Sequence, residues 1–221
     1  MRKEELLEIA KPILFNTEMV KAILEGRKTV TRRVVKFKAG KNPNWTGYVK
    51  DGLALYNGTN EPCSLPAPYQ VGDILYVRET WCFVPCWQCG QDMKGGTCKH
   101  ENSVYKEGFY GCYRYKADGG YLAGSLRPSI HMPKEAARLF LRVTSVRLER
   151  LQDMNEVDTA KEGIRTDIQT QSLDDPDFIE NWGGLIIFKE LWDSTIKKNQ
   201  IDKYGWNANP YVWVIEFEKI K

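Results

Sequence analysis

The stretch Glu25–Arg33, EGRKTVTRR, places four cations and two threonines directly after an apolar helical pattern. Apolar residues recur at helical spacing over Met19–Leu24, and Asn16 or Thr17 can cap the start of that helix. Gly26 suits its C-terminal end, and the alternating, β-branched run Thr29–Val35 then predicts a strand. The fold is therefore expected to turn from a helix into a strand at a cationic strip.

Other segments of the chain predict further strands and helices around this unit. We expect strands in Lys11–Phe15, after the Gly-Asp turn of Val71–Trp81, in GCYRYKAD, in the run that follows Pro133, and at the C-terminal end. Helices are predicted from a capping Asn155 to Gly163, and from Phe178 to about Ile196, where Gly183 and Gly184 can divide the helix into two pieces.

The remaining long segment, Phe37–Pro68, is rich in Gly, Asn and Pro and predicts a loop that carries one hairpin near GYVKDGLALYNG. Roughly six strands with helices inserted between them, without regular alternation, predict an α+β fold with a mixed sheet or a small barrel. We expect one domain spanning residues 1–221.

The composition excludes several classes of protein. The chain has 221 residues, of which 42% are hydrophobic and 28% are charged, as in a soluble globular protein. The net charge is only +3, so a polyanionic partner would have to be recognised locally. No apolar run approaches the roughly 18 residues of a membrane span, and the N-terminal segment lacks the apolar core of a signal peptide. We therefore expect a cytoplasmic protein without a membrane partner.

Four segments in a fixed order carry a resemblance to a known family. They are a short helix ending in GRKTVTRR, the strand VGDILYVRE, the helix in LERLQDMNEVDTAKEGI, and the final strand VWVIEFE. Together they resemble the ASCH domain of the PUA-like superfamily, over most of the chain except Phe37–Pro68 and Cys86–His100. The resemblance implies a small mixed β-barrel with flanking helices, with a cleft beside the first helix that binds RNA, a nucleoside or a nucleobase.

The resemblance also implies a set of catalytic residues. Small members of the family that hydrolyse the amide of acetylated cytidine use a Lys, a Thr and a Glu, which fall here on Lys28, Thr31 and Glu162. A Thr hydroxyl is a weak nucleophile, and a partly desolvated Lys of lowered pKa can serve as its base, while the Glu moves protons to the leaving amine. Because Thr31 and Lys28 would point to opposite faces of a regular strand, Lys28 is expected in the turn.

Further side chains are candidates for ligand binding. They are Arg27, Arg32, Arg33, Arg78, Glu79 and Trp81. Each has a structural alternative: the strip can be a solvated basic edge strand, Arg78 and Glu79 can form ordinary cross-strand ion pairs, and Trp81 can be a core residue. Glu162 alone could equally be a solvated residue in the last turn of a helix.

Residues 82–112 contain a Cys-rich insertion with the spacing of a metal site. Cys86 and Cys89 form a C-x-x-C pair, and Cys98 and His100 follow after two glycines. Four such ligands predict a structural zinc ion, because a closed tetrahedral set leaves no position for a reacting water. Cys82 or Cys112 remains an alternative to His100.

Three functions are therefore open. The first is binding of RNA or a modified nucleobase at Lys28, Thr31, Arg33 and Glu162, with or without hydrolysis of an acylated cytidine. The second is a ribonuclease, with the cations on a phosphate and Glu162 as base. The third is a noncatalytic RNA-binding adaptor whose zinc-stabilised insertion contacts a protein. The larger size of this chain compared with the small family members leaves catalysis itself open.

Overall fold

The helices and strands that the sequence predicts are present, together with elements that it does not predict, among them short helices at Lys3–Ile9 and Ile201–Tyr204. The computed structural model describes residues 2–36, 45–50, 53–56, 62–86, 103–106, 109–119, 125–165 and 176–221. The helices are α1 (Lys3–Ile9), α2 (Thr17–Leu24), α3 (Glu156–Lys161), α4 (Pro176–Thr195) and α5 (Ile201–Tyr204). The strands are β1 (Lys11–Leu14), β2 (Val30–Val34), β3 (Trp45–Lys50), β4 (Leu53–Tyr56), β5 (Pro62–Pro66), β6 (Ile74–Arg78), β7 (Trp81–Pro85), β8 (Ser103–Lys106), β9 (Phe109–Tyr115), β10 (Phe140–Arg150) and β11 (Tyr211–Lys219).

Two compact units are distinguished by the contacts within the chain. Unit 1 comprises Met1–Leu24, Ile74–Phe140 and Lys221, and unit 2 comprises Glu25–Asp73 and Leu141–Ile220. Each unit combines helices with sheet, which confirms the α+β class.

Unit 1 contains a parallel pair of strands and a separate antiparallel sheet. Strands β1 and β6 pair in parallel, with Ile13 beside Val77, and both of these side chains are buried. The antiparallel sheet has the order β7-β9-β8. Helix α2 begins at a cap, as predicted, because the Asn16 side chain accepts a hydrogen bond of 2.9 Å from the Met19 N–H.

Unit 2 contains the strand formed by the cationic strip. Strand β11 lies between β10 and β2 and pairs antiparallel with both. Strands β3, β4 and β5 form a second antiparallel sheet, in which the β3–β4 pair is the predicted hairpin and β5 was not predicted. The core of the unit packs helix α4 against the sheet, through Val30, Leu151, Met154, Phe188, Trp192, Val212 and Val214.

The described strands of each unit form open sheets, which corrects the expectation of a closed barrel. A barrel requires the two outermost strands to pair with each other. In unit 2 the outer edge of β2 instead meets the end of helix α3, through an isolated bridge between Lys28 and Glu162. A polar contact therefore lies where barrel closure would need another strand.

Helix α4 is continuous rather than divided at its two glycines. A Cβ atom at Gly184 would overlap the side chains of Glu156 and Thr159 on α3. Gly184 therefore permits the close approach of the two helices, and tertiary packing outweighs its low helix propensity. In the described part of the chain, no helix combines the length and the apolar character that crossing a bilayer requires.

Candidate functional site

The turn between α2 and β2 positions Lys28, as the sequence predicts. Gly26 has a φ of 76°, a conformation that favours glycine and ends the helix. The Thr29 N–H then donates to the Lys161 carbonyl at 2.9 Å, and the Thr29 carbonyl accepts from the Phe217 N–H at 2.9 Å. The backbone on either side of Lys28 is thus fixed between helix α3 and strand β11.

Helix α3 positions Glu162. Asn155 caps its start, and Asp158 completes a capping box by accepting a hydrogen bond from the Asn155 N–H at 3.1 Å. Glu162 follows the last helical residue, and Gly163, with a φ of 85°, turns the chain away. The Glu162 side chain is only 4% exposed, so the alternative of a solvated residue is wrong.

The Lys28 ammonium is enclosed by three oxygen acceptors. Its Nζ atom donates to the Glu162 carboxylate at 2.5 Å, to the Glu162 carbonyl at 2.9 Å and to the Val30 carbonyl at 2.7 Å. Its side chain has no exposed area, and this burial lowers the pKa of Lys28, with the attraction of Glu162 opposing the shift. A buried lysine of lowered pKa facing a carboxylate is a candidate proton-transfer group.

The ammonium lies at the outer edge of strand β2. The Thr29 carbonyl and the Val35 N–H both bond to β11, and alternate residues of an antiparallel strand bond to the same neighbour. The Val30 carbonyl therefore points to the opposite edge, where it accepts from Lys28. This edge position is consistent with the expectation that Lys28 sits in the turn.

Arg32 binds the other oxygen of Glu162. Its Nη1 atom donates to Oε1 at 3.1 Å, and its side chain has no exposed area. Nη2 lies 3.6 Å from an Asp158 oxygen and 3.7 Å from a Glu149 oxygen. Glu149 also bonds to Arg147, which pairs in turn with Glu216. Charges thus alternate in sign from the buried Lys28 to the part-exposed Glu216.

The other residues of the strip divide between the two faces of β2. Thr31 is buried opposite Ile215, and Arg33 lies part-buried opposite Trp213 on the same face, as strand alternation predicts. Arg32 points to the other face. Arg27 donates to the Gly163 carbonyl at 2.6 Å. The alternative of a solvated basic edge strand is therefore wrong for Lys28 and Arg32, whose side chains are enclosed.

The three remaining ligand candidates lie in unit 1. Arg78 donates to the Ile130 carbonyl, and Trp81 is 2% exposed and makes an edge contact with Tyr113. Glu79 is 1% exposed, and burial raises its pKa although Arg138 binds both of its oxygens, at 2.9 and 3.0 Å. Trp81 thus occupies a core position, and Glu79 belongs to a buried ion pair.

Sequence reasoning missed several members of these charged clusters. They are Glu149 and Asp158 beside Arg32, and Arg138 and Asp118 beside Glu79. Of these four residues, only Asp158 can be singled out from the sequence, because its position three residues after Asn155 predicts a capping box. The other three lie on elements whose partners are distant in the sequence.

The candidate metal ligands fall partly outside the described residues. Cys86 is buried immediately after β7, while Cys89, Cys98 and His100 lie outside those residues. Cys82 and Cys112 are buried on β7 and β9. Among the described residues no three His, Cys, Asp or Glu side chains are grouped closely enough to hold a metal ion.

Comparisons of the whole chain with protein-family models, curated proteins and solved structures find no match.

Removing the charge of Glu162 is expected to destabilise unit 2. In Glu162→Gln, Lys28 and Arg32 remain buried without their shared counter-charge, and breaking such a pair lowers the free energy of unfolding by about 3 kcal/mol. Urea denaturation measures the change. The matched control is Glu18→Gln, which removes the partner of Lys21 on the surface of α2 and should alter stability by about 0.3 kcal/mol. Equal, small effects in the two variants would contradict a structural role for the buried pair.

Proposed function

We propose that this chain is an ASCH-type, PUA-like protein that binds a nucleoside or the base of an RNA strand beside Lys28 and hydrolyses the amide of an acylated cytidine. One observation carries the proposal. Lys28 and Glu162, which are 134 residues apart in the sequence, meet at 2.5 Å in the interior of unit 2. A close, buried pair of proton-transfer groups is what the proposed reaction requires.

The protons and bonds of the proposed reaction can be assigned to three side chains. Lys28 transfers a proton to Glu162 and, as a neutral amine, takes the proton of the Thr31 hydroxyl. The Thr31 oxygen attacks the acyl carbon, and Glu162 returns its proton to the cytidine nitrogen as the amide C–N bond breaks. Water then hydrolyses the ester on Thr31, which releases the carboxylic acid.

The environment of Lys28 supports its role as the base. A lysine can accept a proton only when it is neutral, and burial favours the neutral form by lowering the pKa of Lys28. Arg33, which is part-buried on the same face of β2 as Thr31, is placed to hold a base edge or a phosphate through its planar guanidinium. Nucleophile and substrate contact would then share one face of the strand.

Release of free cytidine from acetylated cytidine tests the proposal. Wild-type protein should release cytidine, and Thr31→Val should reduce the rate by about 10²-fold or more, because the nucleophile is lost. Substrate binding, measured by calorimetry, should persist. The matched control is Thr29→Val, since Thr29 is exposed in the same strip and should keep wild-type turnover.

The outcomes separate the candidate functions. Equal loss of binding and turnover in Thr31→Val would contradict the nucleophile. No turnover by folded wild-type protein would contradict the hydrolase, and cleavage of labelled RNA would then support the ribonuclease. Binding of RNA without any cleavage would leave the noncatalytic adaptor.

We also propose that the Cys-rich insertion holds one structural zinc ion. Cys86, Cys89, Cys98 and His100 supply a four-ligand set, and the C-x-x-C spacing lets two thiolates bind one ion from a tight turn. Zinc would stabilise a segment with few apolar residues. The buried position of Cys86 at the end of β7 supports a structural rather than a surface role.

Elemental analysis of purified protein tests the zinc site. Wild-type protein should contain one equivalent of zinc, and Cys89→Ser should lose it. The control is Cys63→Ser, which lies outside the insertion and should retain the metal. Loss in His100→Ala with retention in Cys82→Ser and Cys112→Ser would identify His100 as the fourth ligand. Folded wild-type protein without zinc would contradict the proposal.

A further inference from the structure

Arg32 points away from the face of β2 on which Thr31 and Arg33 would meet a ligand, which argues against its predicted role in ligand binding. Its side chain has no exposed area, and it lies on the face of β2 opposite Thr31 and Arg33. Within the described residues its one hydrogen bond is from Nη1 to Glu162, whereas Nε and Nη2 have no hydrogen-bond partner. The contact with Glu162 is therefore what the guanidinium offers the site.

We propose that Arg32 is a positioning residue, which holds one oxygen of Glu162 so that this carboxylate is shared between two cations instead of being committed to Lys28 alone. This inference rests on the proposed function, in which Lys28 must release a proton. The geometry is direct: Oε1 lies 3.1 Å from Arg32 and Oε2 lies 2.5 Å from Lys28. Each oxygen thus faces a different cation.

The sharing has an electrostatic consequence for Lys28. A carboxylate bound only to Lys28 would hold the ammonium proton strongly, because opposite charges at close range favour the charged form. A second cation on the same carboxylate weakens that hold and also repels the ammonium. In agreement, the positive charge of Arg32 contributes to the lowered pKa of Lys28.

The charged groups around Lys28 and Arg32 determine how each substitution should change the pKa of Lys28. Lys28 lies next to Glu162, which is at the end of α3, and the positive charges of Arg33 and Arg32 on β2 repel its ammonium. Arg32 faces Glu162, Asp158 on α3, and Glu149 on β10. Glu149 and Asp158 compete with Glu162 for the guanidinium, so they set how strongly Arg32 draws on Glu162.

Two variants alter the sharing in opposite directions. Arg32→Gln removes the second cation, so the midpoint at which the Lys28 amine titrates should move to higher pH. Glu149→Gln keeps Arg32 but removes one competing carboxylate, so the Lys28 midpoint should move to lower pH.

Nitrogen-15 NMR of the lysine side chains in the full chain measures both midpoints without any substrate. Arg142→Gln is the matched control, since its half-exposed pair with Glu218 is remote from this cluster in the β10–β11 register, and it should cause no shift.

The same variants give a second readout on acetylated cytidine. In Arg32→Gln the acidic limb of the pH profile of kcat/KM should shift to higher pH, with KM nearly unchanged. A raised KM with an unmoved limb would assign Arg32 to ligand binding and overturn the inference.

The kinetic measurement tests the proposed function, and the NMR measurement tests the role of Arg32 independently of it. Absence of turnover in wild-type protein would refute the proposed function, whereas the Lys28 titration would still test the role of Arg32. An unmoved or lowered midpoint in folded Arg32→Gln would overturn the positioning role. If Arg32→Gln does not fold, as judged by circular dichroism, the downward shift in Glu149→Gln decides, and its absence overturns the inference.

Discussion

The buried contact between Lys28 and Glu162 is the constraint on which the arrangement of unit 2 depends. Removing an ammonium and a carboxylate from water is expensive, and the pair is tolerated only because further polar groups surround both charges. Two backbone carbonyls complete the shell of Lys28, and Arg32 binds the second oxygen of Glu162. The turn at Gly26 and the end of α3 must therefore meet in one fixed register.

This polar contact lies beside an apolar core and shares its strand. Val30 and Val34 point to the same face of β2 as Arg32, and Val30 packs in the core with Leu151 and Phe188. The core fixes the strand and the helices, and the strand then delivers Arg32 to the carboxylates. Gly184 brings α4 close to α3 and so supports the helix whose end carries Glu162. Packing and electrostatics thus specify the same geometry, as expected of a sequence with consistent local and global preferences.

Local signals in the sequence predicted the elements that hold the candidate site. The β-branched alternation of Thr29–Val35 predicted strand β2, and Asn155 and Gly163 predicted the two ends of the α3 segment. The resemblance to the ASCH domain places Lys28 and Glu162 in one site. That pair is close in the structure, whereas the family and its chemistry remain proposals.

The features that sequence reasoning missed depend on contacts between distant segments. Whether Arg32 is solvated or enclosed depends on Glu149 and Asp158, which approach it only after β10 and α3 have packed. The continuity of α4 through Gly184 depends on Thr159 of another helix, and local propensity favours a break there. The open sheets differ from the expected barrel because the end of α3, and not another strand, meets the edge of β2. The alternation of residues within a strand does not predict which element lies at its edge.

A double-mutant cycle between Lys28 and Glu162 measures how far the stability of unit 2 depends on the contact between these two buried charges. The free energy of unfolding is measured by urea denaturation for wild type, Lys28→Met, Glu162→Gln and the double variant. We expect a coupling energy of about 2 kcal/mol, because each single variant leaves one member of the pair buried without the other. The double variant removes both members and leaves Arg32 to Asp158 and Glu149. Additive effects, within about 0.5 kcal/mol, would show that Lys28 and Glu162 stabilise unit 2 independently and that their contact is not the constraint.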